Sequence, residues 1–229
     1  MKIAFYTLLF FVVFITACKK QDTSVSKSID FSYCPLNVGD WITYEIVDIN
    51  IDIPSDVNDT INYQLKEIID SSYLNNNEQV YRIERYVKLN DTANWEIKDV
   101  WLANYTTNSF QKVEENIRFV KLIFPIILDN TWNGNAYNMN DPKEYKITSI
   151  DLPETINTLH FDSVLHVTQL NISNLIEKKV EIEKYAKNIG LVYKEQTDIY
   201  SDKITDEPIE ERPKIATIYK MTIINYGSN

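Results

Sequence analysis

Residues 41–53 read WITYEIVDINIDI, and in this stretch apolar and polar side chains alternate along the chain. Ile49, Ile51 and Ile53 fall on one side of an extended backbone, whereas the even positions beside them carry Asp or Asn. A period of two is the pattern of a strand with one buried and one solvated face. The stretch therefore predicts a half-buried β-strand.

Similar patterns recur along the rest of the chain. Further strand candidates are 61–71, 80–89, 95–104, 109–113, 117–124, 132–137, 144–150, 158–171, 179–185, 190–200 and 214–226. Segments rich in Asn, Asp and Pro separate them, and helices do not alternate with strands. The one serious helix candidate is 174–188, but Val180 and Ile182 alternate with glutamates, which predicts a strand for its second half. We expect a mainly β fold, a curved antiparallel meander forming a half-barrel or barrel with at most one or two short helices.

Composition excludes several classes of function. The 229 residues carry 33 acidic and 23 basic side chains, a net charge of -10, which argues against nucleic-acid binding because phosphate neutralisation needs clustered Lys and Arg. Four glycines are too few for a phosphate-cradling loop. With two His and two Cys, the chain also has little material for a metal site, and we expect no cofactor.

The first twenty residues resemble a bacterial lipoprotein signal. Lys2 precedes an uncharged apolar stretch at 3–17 that is too short to span a bilayer but suits a secretory signal. Residues 15–18 (ITAC) resemble a lipobox, which implies cleavage after Ala17 and a lipid-modified Cys18. The alternatives are an ordinary cleaved signal or a membrane helix. Several acyl chains would give durable membrane anchoring, whereas one binds marginally.

Three segments follow from this interpretation. Residues 1–17 form the signal peptide, 18–32 a lipidated N-terminus and polar tether, and 33–229 a single β domain. Lys19 is not the aspartate that holds many lipoproteins at the inner membrane, which favours the outer membrane. Residues 19–22 hold one acidic residue, which favours the periplasmic face over the cell surface. Loss of Lys2 makes the mature chain more acidic, at -11.

Two loop-strand segments echo each other. Each begins with a proline, Pro35 or Pro125, and reaches a tryptophan that opens a strand, Trp41 or Trp132. The echo is either a duplicated unit or a coincidence. We regard both pairs, together with three of the glycines, as candidate fold-signature residues. The glycines are Gly39, Gly134 and Gly190.

The same segments carry a family resemblance. Residues 34–46 (CPLNVGDWITYEI), 124–137, 183–195 (EKYAKNIGLVYKE) and 219–226 (YKMTIINY) resemble small lipoproteins common in Bacteroidetes-type bacteria. Their shape is similar to the curved half-barrel of outer-membrane lipoprotein carriers and receptors. The resemblance implies a sheet around an apolar concavity, but it names no chemistry.

Candidate catalytic and metal-binding residues have ordinary structural explanations. The spacing of Asp and Asn over 48–59 matches a calcium loop of EF-hand type, but Ile53 occupies the place that needs glycine, so a strand is favoured. His160 and His166 would lie about 20 Å apart at ~3.3 Å per residue, too far to share a metal. Cys34 precedes a proline and is expected to be packed or idle. Adjacent glutamates, 114–115 and 210–211, would face opposite ways on a strand.

Three triplets match a short Asp-Ser/Thr-apolar pattern used for envelope O-glycosylation in that bacterial group. The acceptor residues would be Thr60, Thr92 and Ser163, and the first two fall in predicted loops. We expect an outer-membrane-anchored, non-enzymatic lipoprotein that binds a lipophilic or envelope-derived ligand in its concavity. Such a protein should contain a large apolar pocket lined by Tyr, Trp and Ile. The alternative is a structural or interaction subunit of an envelope complex, which should expose an apolar patch or an open strand edge.

Overall fold

The structure is a computed structural model that describes residues 30–229. Within that range twelve strands and two single-turn 3-10 helices follow one another. The strands are β1 (Asp40–Asp52), β2 (Val57–Asn75), β3 (Glu78–Lys88), β4 (Glu96–Tyr105), β5 (Ser109–Glu114), β6 (Ile117–Ile123), β7 (Thr131–Asn133), β8 (Glu144–Ile156), β9 (Leu159–Ser173), β10 (Glu177–Ala186), β11 (Gly190–Tyr200) and β12 (Ile215–Ser228). The 3-10 turns are Ile53–Ser55 and Ile209–Glu211. The predicted mainly β, antiparallel fold is confirmed.

All twelve strands belong to one sheet. Their order is β6-β5-β4-β3-β2-β1-β12-β11-β10-β9-β8-β7, and every ladder is antiparallel. β6 and β7 lie at the two ends of this order, yet the Val120 amide donates to the Gly134 carbonyl at 2.9 Å. The Trp132 indole N–H also donates to the Val120 carbonyl at 2.8 Å. These bonds bring the last strands together, and the sheet forms a nearly closed barrel.

The antiparallel meander places alternate loops at opposite ends of the barrel. One end, which we call the plug end, carries loops 30–39, 76–77, 106–108, 124–130, 157–158 and 187–189. The other, the mouth end, carries loops 53–56, 89–95, 115–116, 134–143, 174–176 and 201–214. The described chain therefore begins at the plug end.

The N-terminal segment 31–36 closes the plug end. Phe31 stacks on Tyr105 with ring centroids 4.2 Å apart, and the Tyr105 hydroxyl donates to the carbonyl of Cys34. Tyr33 and Cys34 are 2% and 3% exposed. The Asn188 amide donates to the carbonyl of Ser32 at 2.6 Å. Residues immediately before β1 are therefore part of the packed core.

The strand of residues 41–53 buries parts of both faces. Tyr44 and Ile46 are fully buried in the main core, whereas Ile51 packs on the opposite side against Ile199 and Ile209. Ile209 belongs to the long loop 201–214, which covers the outer surface of the sheet here. Ile49 and Ile51 are half-buried and Ile53 is 57% exposed in the 3-10 turn that follows, so the predicted isoleucine face is only partly buried. The acidic side of the strand continues the face that carries Tyr44.

Other sequence predictions need correction at the level of elements. β10 begins at Glu177, so the helix candidate at 174–188 is a turn followed by a strand. The Asn174 side chain accepts backbone N–H bonds from Ile176 and Glu177, which fixes this turn. The strand predicted at 132–137 ends at Asn133, because Gly134 bonds back to Val120 and Lys143.

Candidate functional site

A layer of charged side chains crosses the interior of the barrel. Its members, the interior ion layer, are Glu67, Arg85, Lys112, Glu114, Lys121, Glu183 and Lys194. They come from β2, β3, β5, β6, β10 and β11, and ion pairs join β5 to β11 and β6 to β10. Those strands are far apart in the sheet order, so the pairs span the barrel rather than follow its wall.

Glu67 organises one half of the layer. Its two carboxylate oxygens accept bonds from Arg85 Nε and Lys112 Nζ, both at 3.0 Å. Arg85 also donates to Asp99 at 2.9 Å, and its guanidinium lies 3.4 Å over the ring of Trp101. Burial opposes ionisation of Glu67, but the charges of Lys112 and Arg85 more than offset it, so its pKa lies below its usual value.

Lys121 and Glu183 organise the other half. Their ammonium and carboxylate are 2.5 Å apart, and the Lys121 ammonium also forms an ion pair with Glu114 at 3.3 Å. The Tyr185 hydroxyl donates to the second oxygen of Glu183 at 2.5 Å. Burial disfavours all these charges, but their mutual attraction prevails: the pKa of Lys121 is raised, and the pKa values of Glu114 and Glu183 are lowered. Lys194 lies 3.7 Å from Glu114 and completes the half.

An apolar cavity lies between the N-terminal segment 31–36 and the interior ion layer. Its volume is about 80 Å³, and its wall includes Trp41, Tyr44, Ile83 and Tyr185, with charged groups of the ion layer at its inner end. The lining by Tyr, Trp and Ile matches the prediction, but the size does not. An apolar cavity of about 150 Å³ is what holds a benzene molecule. The expectation of a large apolar pocket is wrong, because the N-terminal segment and the ion layer fill most of the interior.

A wider cavity opens at the mouth end. It has a volume of about 330 Å³ and lies on the other side of the ion layer, with Glu114 in the walls of both cavities. Four aromatic rings and several polar side chains line it. The rings are Tyr63, Trp101, Phe119 and Tyr219, and the polar groups are Arg85, Lys98, Glu114, Glu115, Lys194 and Gln196. The buried indole nitrogen of Trp101 has no acceptor among the described residues.

The predicted fold-signature residues meet at the plug end and at the barrel closure. Gly39 and Gly190 adopt positive φ angles of 99° and 109°, a region that favours glycine. Pro35 and Trp41 line the plug-end cavity with Gly190. At the closure, Trp132 bonds to β6, and Gly134 lies against the face of the Tyr145 ring, where a side chain would not fit. Pro125 follows Phe124 in the plug-end loop 124–130.

The lipidation and glycosylation predictions have different outcomes. Cys18 lies outside the described residues, so its modification stays a prediction. Thr92 lies in the exposed loop 89–95, as expected. Thr60 is exposed but lies within β2, where it pairs with Ile49, so its placement in a loop was wrong. The Ser163 hydroxyl is 2.6 Å from Asp151 and 2.8 Å from the Tyr33 hydroxyl, so it already has two hydrogen-bond partners in the fold.

The remaining candidate residues do not converge on a site. His166 bonds to Glu154 at 2.7 Å, while His160 lies beside Thr155 and is exposed. Cys34 is buried, and burial raises the pKa of its thiol. Residues 48–52 form strand, not a calcium loop. Glu210 and Glu211 lie in the second 3-10 turn.

Two kinds of functional feature are absent from residues 30–229. In that range no cluster of three or more His, Cys, Asp or Glu has the geometry to hold a metal ion. In the same range no helix is both long and apolar enough to cross a membrane.

Sequence reasoning missed the interior ion layer, although the sequence contains a signal for it. Glu67 stands between Leu65 and Ile69 at positions that period-two alternation assigns to the apolar face. Arg85 likewise follows Ile83 at the same spacing. Charges placed on a buried face need partners, and those partners lie on strands distant in sequence.

Comparisons with known proteins add little. No family model and no curated protein matches the chain. A solved structure from Bacteroides fragilis, described as an exported protein with a YmcC-like fold, aligns with a TM-score of 0.43 at 12% identity over 84% of this chain and 98% of that one. A protein of Parabacteroides distasonis described as a lipoprotein aligns with a TM-score of 0.42 at 12% identity over 85% and 98%. Similarity at this level does not assign a family or a function.

Proposed function

We propose that the chain is a lipid-anchored, non-enzymatic binding protein of the outer membrane, facing the periplasm, whose ligand occupies the mouth cavity. The observation that supports binding is a cavity of about 330 Å³ that combines aromatic rings with polar side chains. Binding sites for small molecules are concave, rich in aromatic surface, and fixed in orientation by a few polar groups. Lipidation of Cys18 would supply the anchor.

The chemistry of the mouth favours a polar, ring-shaped ligand of the saccharide class. Arg85, Lys98 and Lys194 are already ion-paired with carboxylates, so the mouth has little surplus charge for an ionic ligand. Its polar groups retain hydrogen-bonding capacity, and its aromatic rings offer flat apolar faces for the C–H side of a sugar ring. A lipid chain is disfavoured because the apolar cavity near the plug end measures about 80 Å³.

Native mass spectrometry of the full chain carrying Cys18→Ser, purified from its own host, tests this function. A co-purifying mass of one or two sugar units would support it. A fatty-acid mass would contradict a saccharide ligand and favour a lipophilic one. Titration with saccharides released from the host envelope, followed by tryptophan fluorescence, gives the affinity. Gln196→Ala should weaken binding, whereas Tyr137→Ala, an exposed aromatic in loop 134–143 outside the cavity wall, should not. Equal affinities of these two variants would contradict the proposed site.

A second candidate function is that of an interaction subunit, which an exposed apolar patch favours. Leu175 and Ile204 are 61% and 70% exposed on adjoining mouth-end loops. Arg212 holds these loops together by donating to the carbonyls of Leu175 and Lys203. A partner protein bound in the native mass spectrum, lost on Leu175→Ser with Ile204→Ser, would support this function.

A further inference from the structure

We propose that the plug end of the barrel is the surface that meets the lipid bilayer, and that the mouth opens away from it. The inference rests on anchorage through Cys18, which is part of the proposed function. It adds a defined membrane-facing surface and a defined direction from which a ligand arrives. Two features support this orientation: the reach of the linker between Cys18 and Asp30, and the different charges of the loops at the two ends.

The reach of the linker limits how far the anchor can lie from the barrel. Asp30 lies at the plug end and is the twelfth residue after Cys18. A chain of that length spans at most about 40 Å at ~3.3–3.6 Å per residue. β1 has 13 residues and covers about 40 Å along the strand at ~3.3 Å per residue. Strands of a barrel tilt by about 35–45° from its axis, so the barrel is about 30 Å long, which is most of the distance that the linker can reach.

The two orientations of the barrel place different demands on the linker. With the mouth towards the bilayer, the linker would have to run the whole length of the barrel and would be strongly stretched. With the plug end towards the bilayer, the anchor and Asp30 are close and most of the linker length is free. Stretching removes conformational freedom, so the first arrangement is disfavoured.

The two ends of the barrel also differ in charge. The mouth-end loops carry nine acidic and four basic side chains, whereas the plug-end loops carry two acidic and one basic. Loop 201–214, with five acidic and three basic side chains, supplies two of the five excess negative charges, and loops 53–56, 89–95 and 115–116 supply one each. A bilayer containing anionic lipid repels negative protein charge within about a Debye length, ~8–10 Å at ordinary salt. The acidic mouth end is therefore directed away from such a surface.

The orientation also fits the two cavities. The mouth cavity would face the aqueous space, where a soluble saccharide can diffuse into it. The plug end would present the closed side of the barrel, where the N-terminal segment covers the core. A ligand would then enter the mouth cavity from the aqueous side and not from the bilayer.

Energy transfer on lipidated protein tests the orientation. The full chain is reconstituted in vesicles of phosphatidylethanolamine and phosphatidylglycerol that carry an acceptor-labelled lipid. A donor is attached to Thr107→Cys at the plug end or to the matched variant Asn94→Cys at the mouth end, both exposed loop positions. Cys34 is buried and should not be labelled. Because the sites differ by about 30 Å along strands that rise ~3.3 Å per residue, transfer should be at least about twofold more efficient from Thr107→Cys.

Separate outcomes test the proposed orientation and the proposed anchor at Cys18. Equal transfer from both sites, or stronger transfer from Asn94→Cys, on protein that remains bound to vesicles would overturn the orientation. Cys18→Ser should release the protein from the vesicles. Membrane binding that survives Cys18→Ser would instead contradict the proposed anchor. Raising the salt concentration should narrow the difference between the sites if charge contributes to it.

Discussion

Lys121 and Glu183 illustrate how individual residues hold this barrel together. Both side chains are almost fully buried, at 5% and 1% exposure, and each is the nearest partner of the other. A buried charge without a partner is costly, whereas a satisfied pair can be neutral or favourable. The same argument applies throughout the interior ion layer. The charged residues inside the barrel therefore act as a set.

Lys121→Met should lower the free energy of unfolding by about 3–5 kcal/mol, because it leaves Glu183 buried without its nearest cation. Urea denaturation followed by tryptophan fluorescence measures this loss. Lys178→Met is the matched control, since Lys178 pairs with Glu210 at the surface and such pairs contribute about 0–1 kcal/mol. Equal losses in the two variants would contradict the structural role of the ion layer.

Cys34 should be unreactive in the folded protein. Its side chain is buried within the N-terminal segment that closes the plug end, and burial raises its pKa, so little thiolate forms and reagents have no access. A colourimetric thiol assay on the Cys18→Ser protein should detect no free thiol in buffer and one thiol in urea. Rapid reaction in buffer would mean that the N-terminal segment leaves the barrel end readily.

At the scale of elements, the contact between β6 and β7 decides whether the sheet is open or closed. β7 has three residues, and its ladder to β8 is correspondingly short. The bonds from Trp132 and from the Val120 amide attach it to β6. This contact covers part of the two edge strands, and covered edges are less open to pairing with other chains.

Trp132→Phe keeps an aromatic ring but removes the indole donor at this closure. We expect a loss of about 1–2 kcal/mol, because the carbonyl of Val120 loses a partner in a part-buried position. Hydrogen exchange of the Val120 amide should accelerate more than that of amides in β1. Trp95→Phe, at an exposed loop position, serves as the control and should change neither quantity. Unchanged exchange in Trp132→Phe would mean that closure does not depend on this bond.

At the scale of the whole molecule, the ion layer makes stability depend on pH. The pKa values of Glu67, Glu114 and Glu183 are lowered in the folded protein by the neighbouring cations, against the opposing effect of burial. Below the usual glutamate value of 4.5, the unfolded chain therefore binds more protons than the folded chain. Their contribution is fully present well above pH 4.5 and is lost as the pH falls through the folded values.

The free energy of unfolding should consequently fall steeply as the pH is lowered from about 5 to about 3. Urea denaturation at a series of pH values measures it. Lys121→Met combined with Glu183→Leu removes one of the three glutamates and should flatten this acid limb. Stability that stays constant or rises over the same range would contradict the lowered pKa values.

The sequence by itself determined the elements of this fold, while the tertiary structure decided what lies inside it. The alternation along residues 41–53 and in similar segments predicted all twelve strands. Successive side chains of a strand point to opposite faces, so a strand with one buried face can be recognised from its own short sequence. Residues such as Asn174, Asn133 and Gly134 set element ends through bonds that the alternation does not show. Lys112, which pairs with Glu67, and Glu183, which pairs with Lys121, lie on strands distant in sequence, so an interior crossed by ion pairs could not be distinguished from an apolar cavity. Strand faces are local properties, whereas ion pairs across a barrel exist only once the sheet has curled.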